Sequence, residues 1–503
     1  VAEGVQTKVR SVALQRIDGT RRFTLPISDL KGDLIIDAGD PLDLARVEDS
    51  RDRVGERYRR EGYMFSRVDV DVVETEDGQL ADVKVLVREG RRVRFGVAQI
   101  LADRRAPLHT REALIRSHLA FRFGDPVNPD LLQKTQRRLM DTGLFSNIVI
   151  QFVDPDRDES YKDVRITVYE RPPQSVELGA GFSKDDGPRA FVRYGHINLI
   201  GSGLRLTVEA KTNYQLFLFA DKNQLKVKLD SEFDQLERTI TAGLYYPRIP
   251  GLPFEGGLRL DIVHERVTQL QFALDRNAVI AGIEFKFWKA LGVSFQTEFE
   301  RSDLLGKDDS KAIDDDPSID AERKRYLKSL PVGVLNLITF RPILTLDLRD
   351  DPFNPSRGAF LSAKADFSQS VQTGEQTPIN FAKFTVGASG YIPLPRQTVL
   401  AFKGEVGRVF QLQSGAATPS YKQFLLGGQT SLRGFPVDSV VPIGYDLLTS
   451  DRAALARGQA ITPSGGDAYV LFKGEFRFPV VWIMTAAVFL DAGNLWLTDF
   501  TSF

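Results

Sequence analysis

The sequence predicts α+β modules followed by a transmembrane antiparallel β-barrel. Three observations lead there. The first third of the chain repeats itself, hydrophobic periodicity switches to two near Gln174 and stays there, and the later connections alternate between short and long.

Composition bounds the class. The chain has 503 residues, a net charge of -1, 42% hydrophobic and 26% charged residues. It is long enough for more than one domain and has no basic bias toward nucleic acid. It has no cysteine, which removes disulfides, thiolate metal sites and cysteine nucleophiles, and suits an envelope protein that avoids stray oxidation. No uninterrupted apolar run reaches the ~18 residues of a transmembrane helix. The Val1 start carries no basic-then-apolar signal segment, so an exported protein would already have lost its signal. A barrel stays compatible with the mean hydropathy of -0.20, because its strands alternate and average to a hydrophilic score.

The repeat defines two modules, residues 1–90 and 91–171. Gly39-Asp40-Pro41-Leu42 precedes a helical stretch with apolar Leu44, Val47, Val54 and Tyr58, then Gly62-Tyr63-Met64-Phe65-Ser66 and the alternating Val68, Val70 and Val72. Gly124-Asp125-Pro126-Val127 opens the same series through Leu132, Thr135 and Leu139 to Gly143-Leu144-Phe145-Ser146 and then Ile148, Ile150 and Phe152. Gly62 and Gly143 fall where a helix C-terminus takes a left-handed residue. An earlier helix, at Thr110 to Leu119 and near Leu25 to Leu30, and a last strand, Asp82 to Val87 and Asp163 to Tyr169, complete the order β-α-α-β-β. Two generic α+β modules are the alternative.

The third domain spans 174–503. Val176, Leu178, Ala180 and Phe182 face one way and Glu177, Gly179, Gly181 and Ser183 the other. Leu344, Leu346 and Leu348 alternate with Thr345, Asp347 and Arg349, and Val470, Phe472, Phe476 and Phe478 with Lys473, Glu475 and Arg477. A soluble sandwich hides the apolar face, whereas a membrane barrel exposes it to lipid. Connection lengths favour the barrel: Ile200-Gly201-Ser202-Gly203, Leu291-Gly292 and Pro393-Leu394-Pro395-Arg396 are short, while 303–331, 368–379 and 410–466 are long and polar. Trp288, Tyr391, Trp482 and Trp496 lie near strand ends, where aromatic girdles sit. About thirteen strands can be placed.

Enzyme chemistry is not indicated. No H-E-x-x-H, G-x-S-x-G or phosphate-loop pattern occurs, and His264-Glu265 lacks a second histidine four residues after the first. The acidic run at Asp308, Asp309, Asp314, Asp315 and Asp316 lacks the spacing and glycine of an EF-hand. No cofactor or metal is expected.

The runs Gly179-Ala180-Gly181-Phe182-Ser183-Lys184-Asp185-Asp186-Gly187-Pro188, Asn198-Leu199-Ile200-Gly201, Arg349-Asp350-Asp351-Pro352-Phe353-Asn354-Pro355-Ser356-Arg357-Gly358, Leu432-Arg433-Gly434-Phe435 and Phe489-Leu490-Asp491-Ala492-Gly493-Asn494 resemble one superfamily. It is the outer-membrane assembly and two-partner secretion superfamily, with periplasmic POTRA domains before a sixteen-stranded barrel. The resemblance covers nearly the whole chain. Within it, the first barrel hairpin and the second module most resemble the TamA branch, with the BamA branch close.

The resemblance implies a protein of the Gram-negative outer membrane that is not an enzyme. It implies POTRA strands that receive client β-segments and a seam between first and last strands that templates their insertion. Its partners are then unfolded outer-membrane clients, outer-membrane lipid and a TamB-like inner-membrane protein. A two-partner secretion pore is the competing function. The segment 410–466 becomes the sixth outer loop, folded back into the lumen. Arg433 would be its plug contact, with Glu475 and Asp491, both on lumen-facing positions by parity, as acidic partners beside Phe489. Gly434 would turn the backbone and Phe435 wedge the tip behind Leu432. At the seam, Val176, Leu178 and Phe182 face outward, and Gly179 and Gly181 are expected to weaken packing of a loosely held edge. With thirteen strands where the family has sixteen, a C-terminally truncated piece is expected, and with two POTRA domains where TamA-like proteins have three, an absent N-terminal POTRA domain as well.

Overall fold

The computed structural model describes residues 6–497 except 19, 21, 77, 104–106, 184–186, 215–235, 250–254, 269–272, 289, 306–330, 332, 372–377, 436, 441, 443–464 and 482–483. The chain divides into two compact units, Val1–Pro173 with Ile197–Gly203, and Gln174–His196 with Leu204–Phe503.

The first unit contains two copies of one arrangement. In the first, β1 (Lys8–Arg16), α1 (Ile27–Gly32), α2 (Leu44–Arg60), β2 (Arg67–Glu74) and β3 (Leu80–Arg88) form a three-stranded sheet of order β1-β3-β2 with two helices. In the second, β4 (Arg94–Ala102), α3 (Glu112–Ser117), α4 (Pro129–Asp141), β5 (Phe145–Phe152) and β6 (Tyr161–Glu170) form a sheet of order β4-β6-β5. The duplication extends to individual hydrogen bonds. Gly39 N donates to Val9 O at 2.7 Å and Val9 N to Asp40 O at 2.8 Å, while Gly124 N donates to Phe95 O at 2.9 Å and Phe95 N to Asp125 O at 2.8 Å. Asp43 Oδ1 caps α2 through Ala45 N, and Asn128 Oδ1 caps α4 through Asp130 N. Ser50 and Thr135, both buried, each donate to the carbonyl four residues back and accept one backbone amide, Ile35 N and Ala120 N respectively.

Each helix pair covers one sheet face, so the central strand alternates strictly. Ala81, Val83, Val85 and Val87 of β3 are fully buried. The modules are joined more closely than the repeat alone suggests. Met64 and Phe65, from the turn after α2, pack against the second module's core of Phe95, Ile115, Leu139, Phe145 and Ile166. Val93 N donates to Gly62 O at 2.7 Å. Gly62 has φ +97°, and a Cβ there would lie 2.9 Å from Val93 O, so this junction is built around a residue without a side chain.

From β7 onward one antiparallel meander runs to the end of the described residues. Its strands are β7 (Gln174–Ser183), β8 (Gly187–Leu199), β9 (Leu204–Tyr214), β10 (Leu236–Tyr246), β11 (Glu255–Thr268), β12 (Ala273–Lys286), β13 (Leu291–Leu305), β14 (Gly333–Asp347), β15 (Gly358–Ser370), β16 (Asn380–Leu394), β17 (Thr398–Gln411), β18 (Ala468–Val481) and β19 (Met484–Trp496). These thirteen strands lie in sequence order, and among the described residues β7 pairs only with β8 and β19 only with β18.

The burial pattern is that of a lipid-facing sheet. Phe299, Phe340, Leu344, Phe367 and Phe472 on one face are exposed, while Glu298, Glu300, Thr339, Asp366 and Ser368 on the other are buried. Apolar groups outward and polar groups inward invert the soluble pattern. Strand ends differ from expectation by a few residues, because the ladders run past the last apolar position: Leu291-Gly292 opens β13 rather than turning, and β13, β15 and β17 extend into stretches expected to be loop. Trp288 and Tyr391 lie toward the short-turn end and Trp496 at the opposite end. Trp482 and the acidic run Asp308 to Asp316 fall outside the described residues.

Candidate functional site

The loop after β17 returns to the inner face of the sheet. Arg433 Nε and Nη2 donate to Asp491 Oδ2 and Oδ1 at 2.7 and 2.6 Å, and its backbone N adds a third bond to Asp491 Oδ2 at 3.1 Å. Nη1 donates to Glu475 Oε1 at 2.6 Å. The guanidinium lies 3.7 Å from the centroid of the Phe489 ring, whose face offers the cation further attraction. Such two-pronged, charge-assisted pairing fixes position and orientation together. Glu475 also takes Arg477 Nη2 at 2.8 Å, so its second oxygen is not left over. Parity brings the three strand residues here, since 475 shares a face with 477 and 489 with 491.

The neighbours of Arg433 divide. Leu432 is buried with Phe424, Leu426, Tyr469, Leu471 and Leu495, and seats the loop on the inner wall. Phe435 does not wedge the tip: it is 54% exposed and contributes its backbone, with its carbonyl accepting from Gly428 N at 2.9 Å. Gly434 needs no special backbone either, because its φ is not positive and a Cβ would meet nothing within 4 Å. Among the described residues of this loop, the glycines with positive φ are Gly415, Gly427 and Gly428.

The first hairpin also departs from expectation. Val176, Leu178 and Phe182 are exposed on the outer face. Gly179 does not loosen the edge, because the Phe191 ring from the opposite strand occupies its missing side-chain space, and a Cβ would lie 2.1 Å from that ring. Glycine here is a seat for an aromatic ring. At Gly181 the neighbour is Arg189 at ordinary contact distance. Arg193 bridges Glu177 on β7, at 2.8 Å, and Glu209 on β9, stitching the edge strand to its neighbours.

Sequence reading missed a second polar cluster. Arg276 on β12 binds Glu265 at 3.0 Å, Glu298 at 2.5 Å and Glu300 at 2.8 Å. Arg341 on β14 binds Glu298 at 3.0 Å and also Asp366 on β15. Lys422 from the loop reaches Glu300 at 2.8 Å, and Tyr421 OH donates to Glu300 Oε1 at 2.7 Å. Glu298 and Glu300 are almost wholly buried, and each is paired with cations from other elements. Alternation placed Glu298 and Glu300 on the inner face. Nothing local indicated which loop residue would meet them.

The run Arg349 to Gly358 forms the β14–β15 turn. The Asp350 carboxylate accepts from Ser356 Oγ, Arg357 N at 3.1 Å and Ser356 N at 3.0 Å, and these bonds, the Ser356 hydroxyl first, hold it well below the usual carboxylate range. Gly358 has φ +105°, and a Cβ would sit 2.1 Å from Leu348 O. Gly358→Ala is therefore expected to destabilise the hairpin, the left-handed strain alone costing ~1–2 kcal/mol. Gly390→Ala, with open space around its Cβ, is the control. Heat-modifiable gel mobility should show a lower unfolding temperature for the first and little change for the second.

A membrane sheet that carries an inward loop clamped to β18 and β19, preceded by two α+β modules, defines a class of outer-membrane barrel. Residues 198–502 match the Omp85 superfamily domain and residues 12–90 match the POTRA family, described as a surface antigen variable number repeat. The chain belongs to the Omp85 superfamily. The outer membrane assembly factor BamA of Neisseria meningitidis serogroup B is 20% identical over 451 residues, covering 86% of this chain and 51% of that protein. BamA of Neorickettsia risticii is 22% identical over 488 residues, 95% of this chain and 57% of that protein. The chain thus spans about half the length of these curated relatives. The crystal structure of BamA from Haemophilus ducreyi lacking POTRA domains 1–3 shares the fold, with TM-score 0.70 at 16% identity over 98% of this chain and 88% of that one. The sheet is an outer-membrane barrel, and the POTRA modules are periplasmic.

Proposed function

We propose that this chain is part of an outer-membrane protein assembly factor of the BamA type, which receives unfolded client β-segments through its POTRA modules and supports their insertion beside β7. The observation that carries this reading is the Arg433 clamp. It ties an internal loop to β18 and β19, so loop position and the geometry of those two strands are set together. An unpaired edge strand offers a row of backbone donors and acceptors to an incoming strand. Assembly of this kind needs no catalytic residue.

The resemblance to the TamA branch suggested a TamB-like partner. The relatives found carry the BamA name, which supports the general assembly role over the TamA-type specialisation, and the TamB-like partner gains no support from them. The secretion-pore reading differs in where the client goes: through the lumen rather than into lipid.

The test is reconstitution of the full-length protein in liposomes with a urea-denatured outer-membrane β-barrel client. Faster appearance of the client's heat-modifiable folded form than in empty liposomes is expected. An unchanged folding rate, with passage of a soluble exoprotein into the liposome interior, would instead establish the pore.

A further inference from the structure

We infer that Tyr421 and Lys422 form a second anchor for the loop, distinct from Arg433, which makes the loop a strap between β13 and the strands β18 and β19. This rests on the assembly reading for its functional meaning and on geometry for its existence.

The two attachments lie far apart on the wall. Lys422 meets Glu300 on β13, and Arg433 meets Glu475 on β18 and Asp491 on β19. With strands about 4.8 Å apart, the six steps from β13 to β19 amount to roughly 29 Å along the sheet. The eleven residues from Lys422 to Arg433 can reach about 36–40 Å when extended, so the strap has little slack if it follows the wall and more if it cuts across the lumen.

The base is built as a site of its own. Glu300 is 0% exposed and accepts from Lys422 Nζ at 2.8 Å and Tyr421 OH at 2.7 Å. Tyr421 OH also lies 2.8 Å from Ser302 Oγ. Lys383 on β16 donates to Lys422 O at 2.7 Å and stands 4.2 Å from the Phe424 ring centroid. Phe424 and Gly466 exchange backbone hydrogen bonds at 2.9 and 2.8 Å, which pins the returning end of the loop beside its start. No residue of this base touches Arg433, Glu475 or Asp491 in the contacts described.

The consequence is mechanical. When β18 and β19 move, Arg433 moves with them, as does Phe424, which is bonded to Gly466 and has its ring centroid 4.5 Å from that of Tyr469 on β18, while Tyr421 and Lys422 are held to Glu300 on β13. Displacement of β18 and β19 relative to β13 is then resisted by the strap, and its release at either anchor removes that restraint. Tyr421 and Lys422 are positioning residues in this account.

Because the chain has no cysteine, one introduced thiol reports cleanly. Ser420, buried beside the anchor, is the reporter position, and Ser420→Cys is nearly isosteric. Its maleimide labelling is measured in the membrane-inserted protein without client. Lys422→Met and Glu300→Gln are each expected to raise the labelling rate about tenfold or more, the loss of a charge-assisted bond at a locally opening site. Lys422→Arg should stay near the parent rate. Tyr421→Phe, which removes only a hydroxyl and tests the anchor should the charge variants fail to insert, should raise it a few-fold. Arg433→Ala should expose the loop tip to protease with the Ser420→Cys rate within about twofold of parent. An unchanged rate in Lys422→Met or Tyr421→Phe, or an Arg433→Ala rate as high as that of Lys422→Met, would overturn the second anchor. Client folding in liposomes is scored separately. Its absence with the labelling pattern intact would remove the assembly reading and leave the strap.

Discussion

Arg433→Ala should leave a barrel that inserts but carries a displaced, protease-sensitive loop and assembles little client. The arginine is 20% exposed, Asp491 6% and Glu475 21%, so the pair sits in a partly dry environment. Removing one member of a buried ion pair typically costs on the order of 3–5 kcal/mol, because the remaining charge stays buried without its partner. The loss is uneven. Glu475 keeps Arg477, whereas Asp491 loses both guanidinium bonds and keeps the amide of residue 433 and the charge of Lys473 opposite it in the ladder. Asp491 therefore carries most of the penalty. Arg433→Lys should recover part of the loop protection, since an ammonium supplies charge without the planar pair of donors. Protease accessibility of the loop in intact membranes, set against heat-modifiable mobility of the barrel, separates the two effects. Full protection together with full client folding in the alanine variant would defeat the expectation.

Arg276→Met should act on the sheet itself. Its guanidinium, 15% exposed, serves Glu298 and Glu300, which are 2% and 0% exposed, and Glu265 across the next ladder. Without it three carboxylates, Glu265 on β11 and Glu298 and Glu300 on β13, flank β12 with less compensating charge. Arg341 and Lys422 remain to hold two of them, so the network is weakened rather than emptied. The cost is again on the order of 3–5 kcal/mol, borne by the β11–β13 wall. The unfolding temperature read from heat-modifiable mobility should fall further than in Arg433→Ala, and the inserted amount should drop. Glu405→Gln, an inner-face acid outside this cluster, is the comparison, with a smaller effect expected. Equal unfolding temperatures for Arg276→Met and the parent would contradict this account of the wall.

Features that repeat were readable in the chain, and features set by one long-range meeting were not. Period two identified both faces of the sheet from Val176 to Phe478, because a strand alternates its side chains whatever lies beyond it. The twin Gly-Asp-Pro segments marked the twin modules for the same reason: each makes the same local hydrogen bonds. Parity also put Glu475 and Asp491 on the wall that Arg433 reaches. The Lys422–Glu300 contact joins residues 122 apart and depends on the path of a loop with no period. Glycines misled where local rules spoke too generally. Gly434 lies in a turn closed by Phe435 N on Leu432 O at 3.1 Å but makes it without a left-handed backbone, and Gly179 was read as slack although the Phe191 ring fills its place. Met64 and Phe65 belong by sequence to one module and by packing to the core of the next.

The account centres on the loop and the strands β18 and β19 working as one unit through Arg433 and Asp491. A double-mutant cycle between Arg433→Ala and Asp491→Ala, read as the rate of client folding in liposomes, tests this most directly. The account predicts strong non-additivity, with the double variant no slower than Arg433→Ala alone and a coupling on the order of 0.5–3 kcal/mol. Additive losses from the two substitutions would show that the residues act separately, and would contradict it.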